Sequence, residues 1–493
     1  RTTAAGLHEL DDFFGIAEQV TGRYAPSAIN AGYSPLLFWD GRATGEFVDP
    51  VSGQTVIANE AALESQVLGP PTSDVEMAHA GRDWTQIASR IEHSVPLTLS
   101  PSVPVDLTAW IDDRNYTELF EEAFGTAGVT PVRIAMAIAT YERTLVSNQA
   151  PIDAFIGGNQ NSLTAQEQQG LQIFNQSRCA TCHGGNRFTD DRFHYIGVRP
   201  QNDDLGRFNV TGNNADRGRF KTPTLRNVGL RGEFMHNGRL ASLEEVVDFY
   251  DRGGDFGAPN KNNDVRPLNL NDAQKAARVA LLDRPLTDQR VAAESGVFSR
   301  PALYADSASM PTVNADGVSY ASNPIPELIA IEPALAGSPD FTVATDSEFA
   351  GRSSVLVIDD APIAFGVGAI PAEESVLMRY SVTSDSDGIA TVPVSLPGGS
   401  ALRGKTIYGK WFVTDDGEAA AESPSFEVAV FGETAGVLGV PQNVFGSFSD
   451  GSVSLLWDAV NNADRYEVYR GSTNVFSESV RLGETVNTGF TDD

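Results

Sequence analysis

The sequence predicts a multidomain protein in two parts: mainly α domains over roughly the first 300 residues, then all-β sandwich domains. Three observations predict this. Apolar residues recur at helical spacing behind capping signals in the first part. Short β-type runs bounded by Asp, Gly, Ser and Pro fill the second. The charge balance also shifts, with 27 basic and 38 acidic side chains in residues 1–300 against 8 and 27 in residues 301–493. The 493 residues carry a formal net charge of −30, and their number suits two to four domains. A field of that sign repels nucleic acid and anionic lipid, which excludes nucleic-acid binding. No apolar run is long enough for a transmembrane helix.

In chain order, Arg1 is not an initiator residue, so a segment upstream of it is expected to have been removed or left out. Thr130-Pro131 supplies a cap and an N1 proline for a helix through Ile134, Ile138, Tyr141 and Leu145. Thr164 with Glu167, and Ser242 with Glu245, form capping boxes that open helices toward Phe174 and through Val246, Val247, Phe249 and Tyr250. The Gly, Asn and Asp-rich loops 184–220 and 251–269 are long enough to be expected to wrap a site. No internal repeat is visible in the helical part. All six histidines lie in the first 300 residues, which places metal and proton chemistry there.

Residues 301–335, proline-rich at 323–333, read as a linker. β-type runs at 354–358, 376–382, 389–396, 407–413 and 426–431 predict an immunoglobulin-like sandwich over 336–434. The Ser452–Trp457 and Tyr466–Arg470 runs resemble the B and C strands of a fibronectin type III domain, with 438–493 too short for a complete one.

Cys179-Ala-Thr-Cys182-His183 is a Cys-x-x-Cys-His motif. Two thiols one helical turn apart can add to both vinyl groups of one porphyrin, and the adjacent imidazole then faces the iron as proximal ligand. A zinc site would need two more ligands, and only scattered histidines are available. A thioredoxin-like pair would want a βαβ setting, whereas these flanks are helix and Gly-rich loop. The motif is therefore read as a covalent haem c on Cys179 and Cys182, with His183 on the iron. Such attachment is made outside the cytoplasm, so a periplasmic, extracellular or cell-surface location is expected.

Six stretches resemble the bacterial di-haem cytochrome c peroxidase family, which includes the MauG-like enzymes. They are Phe38–Ala43; Leu63–Gln66 leading to Val75-Glu76-Met77; Ala137–Leu145; Cys179–His183; Lys221–Val228; and Phe234–Gly238 running into Leu243–Gly254. Their order and spacing match over residues 20–295. The resemblance implies mainly α cytochrome c-type haem domains, an N-terminal peroxidatic one over 1–150 without its first segment and a second over 151–300. It implies that His183 ligates the electron-transfer haem and that Tyr250 is the ligand across the iron, the MauG-like choice. Trp39 is implied as the bridge between haems, Gln66 and Glu76 as the distal pair over the peroxide-binding haem, and His236 as a loop residue seating the second haem. His79, His93 and His194 receive no role.

The sequence departs from the family in four places. The first Cys-x-x-Cys-His is absent, so a second haem c is expected upstream of Arg1, with a haem-less N-terminal domain as the alternative. Residues 44–62 form an insertion. Tyr24 replaces the asparagine whose side chain holds the family's inter-haem calcium, leaving carbonyls at Arg231 and Glu233 and water to bind that ion. Ser177 stands where quinone-forming members place a tryptophan. The expected activity is reduction of hydrogen peroxide with electrons from a small redox protein. A MauG-like high-valent oxidase or oxygenase is the alternative enzyme, and a surface electron-transfer cytochrome the non-enzymatic one. Cell-surface or carbohydrate contact through the sandwiches, and a homodimer, stay open.

Overall fold

The computed structural model describes residues 21–492, apart from 79–80, 93, 101, 321–323, 339–340, 349, 364–369, 398–401, 416–417, 432–444, 450–451, 457–465, 471–479 and 486–488. His79 and His93 therefore lie outside the described residues. Two compact units are present, one built from the described residues of 17–89 and 128–300, the other from those of 90–127 and 301–492. The sequence reading kept 1–150 together. In the structure, helices Val105–Ile111 and Tyr116–Phe124 belong instead to the unit that holds the sheets.

The helical unit begins where its caps place it. Thr130 accepts the Arg133 N–H ahead of helix Pro131–Thr144, and the reciprocal Thr164–Glu167 box opens helix Ala165–Gln176. Ser242 accepts the Glu245 N–H, while the Glu245 carboxylate reaches Ala241 N–H at 2.7 Å rather than the cap residue. The buried face of Pro131–Thr144 is Ile134, Ala135 and Ala139; Ile138 and Tyr141 are exposed, contrary to the sequence reading. Two small alanines, which let the helix approach its neighbour closely, occupy the face that bulkier residues were expected to fill.

An internal repeat, which the sequence reading did not find, organises this unit. Asn30 and Asn227 both adopt left-handed backbone (φ 61° and 60°) ahead of the 3-10 turns Ala31–Tyr33 and Val228–Leu230. The Asn30 N–H donates to Leu145 O and its Oδ1 accepts the Ser147 N–H. Asn227 makes the same two bonds to Leu286 O and Asp288 N. Bridges Leu37↔Ala43 and Phe234↔Leu240 then close matching loops, with Phe38 and Met235, then Gly41 and Gly238, at positive φ. Helices Ala62–Val67 and Leu243–Asp251 follow. In the first copy the expected insertion carries a hairpin, Phe47–Val48 with Thr55–Ile57. The repeat is one of backbone conformation and a few polar anchors, and the insertion breaks its period, so identity along the chain does not show it.

In the other unit, strand Thr406–Asp415 pairs antiparallel with Ser353–Asp359, Glu418–Glu422 and Phe426–Ala429. Met378–Thr383 extends that sheet. A second antiparallel sheet comprises Ile389–Val394, Phe341–Asp346 and Glu327–Ile329. Both sheets contribute to one core holding Phe341, Val343, Leu356, Val392, Ile407, Trp411 and Phe426. Residues 301–335, read as a linker, supply Thr312–Val313 and Val318–Ser319 to the larger sheet and Glu327–Ile329 to the smaller. Further along, Ser452–Leu456 pairs with Phe445–Ser449 and Gly489–Asp492, and Tyr466–Arg470 pairs with Val480–Thr485. No helix among the described residues is long and apolar enough to cross a membrane.

Candidate active site

Helix Ala165–Gln176 delivers the Cys179–His183 turn. It crosses helix Asp272–Leu282 at Gly170, where any Cβ would lie 2.1 Å from Ala277 O. That crossing brings Arg278 to the first cysteine, with Nη2 3.5 Å from Cys179 Sγ. Arg178 takes left-handed backbone (φ 62°) and starts the short turn Cys179–Cys182. Both cysteines, His183, His194, Tyr250, His236 and Trp39 line one cavity, walled otherwise mainly by Ile196, Val198, Phe220, Val246 and Val247. The loops 184–220 and 251–269 supply part of this wall, as the sequence reading expected.

His183 Nδ1 lies 3.0 Å from Phe188 O, so it carries the hydrogen and donates, which leaves the Nε2 lone pair for a metal. Burial pushes the imidazole pKa below its ordinary value, against the opposing pull of Phe188 O and Asp190. A neutral imidazole is the ligating form. Burial also raises both thiols, Cys182 to about 11 with Asp190 and Asp264 adding to the effect. Tyr250 is raised well above the ordinary phenol range by burial and by the two cysteines. It stays a neutral phenol unless a cation compensates.

His236 stacks on Phe220 with centroids 3.6 Å apart and meets Trp39 edge-on at 6.3 Å. Burial lowers its pKa to about 4. Cys182, Asp190 and His194 place three metal-capable atoms within 4.8 Å of one another. Both His194 nitrogens are engaged, however: Nδ1 accepts from Asn262 Nδ2 at 2.9 Å, so Nε2–H donates to Asp190 at 2.8 Å. A zinc ion would have to break that chain.

The lining fits a haem better. It is apolar, it offers two thiols and one imidazole lone pair, and two buried polar atoms in its wall, His236 Nε2 and Arg278 Nε, have no hydrogen-bond partner. The cavity volume is about 190 Å³, below the roughly 300–1,000 Å³ of ligand sites. Lining side chains must therefore part to admit a group of porphyrin size.

A second cavity of about 1030 Å³ adjoins the first, lined by Gln66, Glu76, Ser73, Glu142 and Tyr24 among others. Gln66 in this cavity and Val246 in the other are carried by the helices that follow the two matching loops. Glu76 is exposed at its edge and Gln66 half-buried. Trp39 lines both cavities. Its Nε1–H donates to Tyr24 O at 2.6 Å, and its carbonyl accepts the Lys221 N–H at 2.8 Å. The structure thus brings together all the residues proposed from sequence, in two adjoining groups that share Trp39.

The Tyr24 carbonyl is occupied by that indole, and the Arg231 guanidinium lies 4.4 Å from the centroid of the Tyr24 ring and donates to Ala25 O. A positive charge therefore stands against Tyr24, the residue in the place of the expected calcium-ligating asparagine.

Three features were missed from sequence. Glu142 lines the larger cavity with Oε2 buried and unpartnered, and burial raises its pKa. Arg23 grips Asp204 through two bonds of 2.7 Å and Asp40 at 2.6 Å, pinning the loop that carries Trp39. Met235 lines both cavities. Glu142 and Met235 lie inside the stretches that carried the family resemblance, but nothing in residue type separated them from their neighbours.

These features define a protein with an apolar pocket around a Cys-x-x-Cys-His turn, adjoined by a second, larger cavity that shares Trp39 and Met235 with it. Comparison with known proteins narrows that class. Residues 2–161 match the family model described as di-haem cytochrome c peroxidase. The chain is 31% identical over 264 residues to the methylamine utilization protein MauG of Methylorubrum extorquens, covering 53% of this chain and 64% of that one. It is 30% identical over 251 residues to the cytochrome c peroxidase Ccp of Escherichia coli, covering 50% and 46%. A third match is to the cytochrome c551 peroxidase of Nitrosomonas europaea, 32% identical over 228 residues, covering 45% and 57%. The chain thus spans about half to under two thirds of the length of these relatives. The helical region is similar to di-haem cytochrome c peroxidases and to MauG proteins.

Proposed function

We propose that this protein reduces hydrogen peroxide to water with electrons from a small redox protein, entering at the His183 pocket and leaving at the larger cavity. The observation that carries the reading is Trp39, which stands in the wall of both cavities and faces His236 edge-on. The repeated scaffold supports a second haem at the larger cavity. Bound haem would supply the redox couple at each place. The chain does the rest. His183 presents an oriented neutral imidazole that would hold the iron, Tyr250 would offer its phenol as a further ligand, and His236 lines the same pocket. Gln66 orients peroxide by its amide, and Glu76 takes the proton from one peroxide oxygen and returns it to the other.

On this reading the peroxidatic domain lies within 1–150, without residues 90–127, and the electron-transfer domain is 151–300. An immunoglobulin-like sandwich over 336–434, extended by the strands of 312–329, and a fibronectin type III-like segment over 438–493 suit a periplasmic or cell-surface setting. Glu76→Gln tests the proposal. Turnover with peroxide and a reduced cytochrome should fall at least about a hundredfold, the usual scale of general acid–base catalysis. Undiminished turnover would remove Glu76 from the reaction. Tyr250 favours a second reading, a MauG-like oxidase. A long-lived oxidised state after peroxide, rather than rapid return with a cytochrome donor, would select it.

A further inference from the structure

The sheet unit buries an ionic cluster that the redox chemistry does not use. Lys410 and Glu422 are both 0% exposed, with Nζ 3.2 Å from Glu422 Oε2, and the same Nζ lies 3.6 Å from Asp316 Oδ2 and 3.3 Å from Asp316 O. Lys410 sits opposite Val357 on the neighbouring strand and alternates with Trp411, so it leaves its strand on the side of Phe412. That side carries the apolar cluster of Val355, Val357 and Phe412. An amine and two carboxyl groups are thus held in contact in an environment that penalises their charges.

We propose that Lys410 and Asp316 form an intramolecular isopeptide bond, with Glu422 as the general acid–base. The two carboxyl groups are held differently. Tyr320 donates its hydroxyl to Glu422 Oε1 at 2.5 Å, which leaves Oε2 on the amine, oriented to accept its proton. Asp316 receives two donors from one residue, Ser425 N–H on Oδ1 at 2.6 Å and Ser425 Oγ–H on Oδ2 at 2.8 Å. Donors of this kind draw charge off a carboxyl carbon and stabilise the oxyanion that forms when it is attacked. Ser425 also favours the ionised form of Asp316, so the proton its leaving oxygen needs must be brought to it.

Glu422 Oε2 takes a proton from the Lys410 ammonium and passes it to Asp316 Oδ2. The freed amine attacks Cγ, and the Nζ–Cγ bond forms. Glu422 then moves a second proton from the nitrogen to Oδ2, the Cγ–Oδ2 bond breaks, and water leaves. Ammonium and carboxylate become amide and water, with no oxidant, no cofactor and no net proton release. The product amide keeps the Ser425 N–H on its oxygen and removes two charges from the interior.

Peptide mapping of the full-length protein by tandem mass spectrometry tests this. The expected result is a branched peptide joining the segments that carry residues 316 and 410, lighter by one water than their sum and uncleaved by trypsin after Lys410. Full recovery of the two linear peptides would leave only a buried ion pair and overturn the proposal, as would a branch mapped to Glu422. Lys410→Arg, without the nucleophile, must restore the missing water. Glu422→Gln should give linear peptides, and a branched peptide from that variant would take the acid–base role away from Glu422. Should either variant fail to fold, the map of the unaltered chain still decides.

Discussion

Gly170 gives a quantitative test of how the Cys179–His183 turn is positioned. Its ideal Cβ would lie 2.1 Å from Ala277 O, 2.8 Å from Ala277 C and 3.0 Å from Leu281 Cβ, so backbone of the facing helix must move. Restoring ordinary contact near 3.4 Å separates the helices by roughly 1.3 Å. Overpacking of this kind costs about 1–3 kcal/mol. Gly→Ala in a helix interior returns at most about 1 kcal/mol through propensity. Gly170→Ala should therefore destabilise the helical unit by about 1–2 kcal/mol, or roughly 2–8 °C for a unit of this size. The assay is thermal melting of the haem-loaded protein followed at the Soret band, which reports the unit holding the cofactor. Gly232→Ala is the control, because nothing lies within 4 Å of its Cβ position, and surface changes of that kind stay within about 0.5 kcal/mol. A Gly170→Ala protein that melts at or above the unaltered one would refute the close crossing.

Arg23→Met leaves Asp40 and Asp204 without their shared guanidinium; the three side chains are 20%, 7% and 14% exposed. Denaturant titration should show a loss of about 3 kcal/mol, partly recovered by adding Asp204→Asn. Burial opposes ionisation of Asp204, but the Arg23 bonds, Gly206 N–H and the Arg23 charge outweigh it and hold the carboxyl below its ordinary 3.8. This contribution is present above pH 3.8 and is lost on acidification below it. His236 works over a higher range. Its pKa falls from 6.5 to about 4 through burial, so the unfolded chain binds the proton first, and stability should drop as pH falls from 6.5 toward 4. His236→Phe should flatten that part of the stability–pH curve, and an unchanged slope would count against a buried neutral imidazole. Trp39→Phe keeps the ring but loses the donor to Tyr24 O. Donor-dependent turnover should fall while the spectrum of the His183 pocket is unchanged, and equal turnover would remove Trp39 from the electron path.

Much of this was legible in the chain because it is local. A Cys-x-x-Cys-His turn, a capping threonine three residues before a glutamate, and alternating strands each depend on neighbours a few residues away, so residue order suffices to show them. The positions of the helix starts after Thr130, Thr164 and Ser242 followed from side chains within one turn. Trp39, Gln66 and Glu76 were identifiable only as members of quoted stretches, and nothing in their own residue types placed them in one cavity wall.

By itself, then, residue order determined the two-part class of the fold, the Cys-x-x-Cys-His turn and most strand positions. Tertiary structure alone decided the repeat, since Asn30 and Asn227 are equivalent only through bonds to carbonyls and amides at Leu145, Ser147, Leu286 and Asp288, far along the chain. It also decided that Trp39 borders both cavities, and that Lys410 meets Asp316 and Glu422 in an apolar interior. The physical reason is the same in each case. Burial and charge proximity act through space over a few ångströms, and the chain reports such proximity only after loops of dozens of residues have closed.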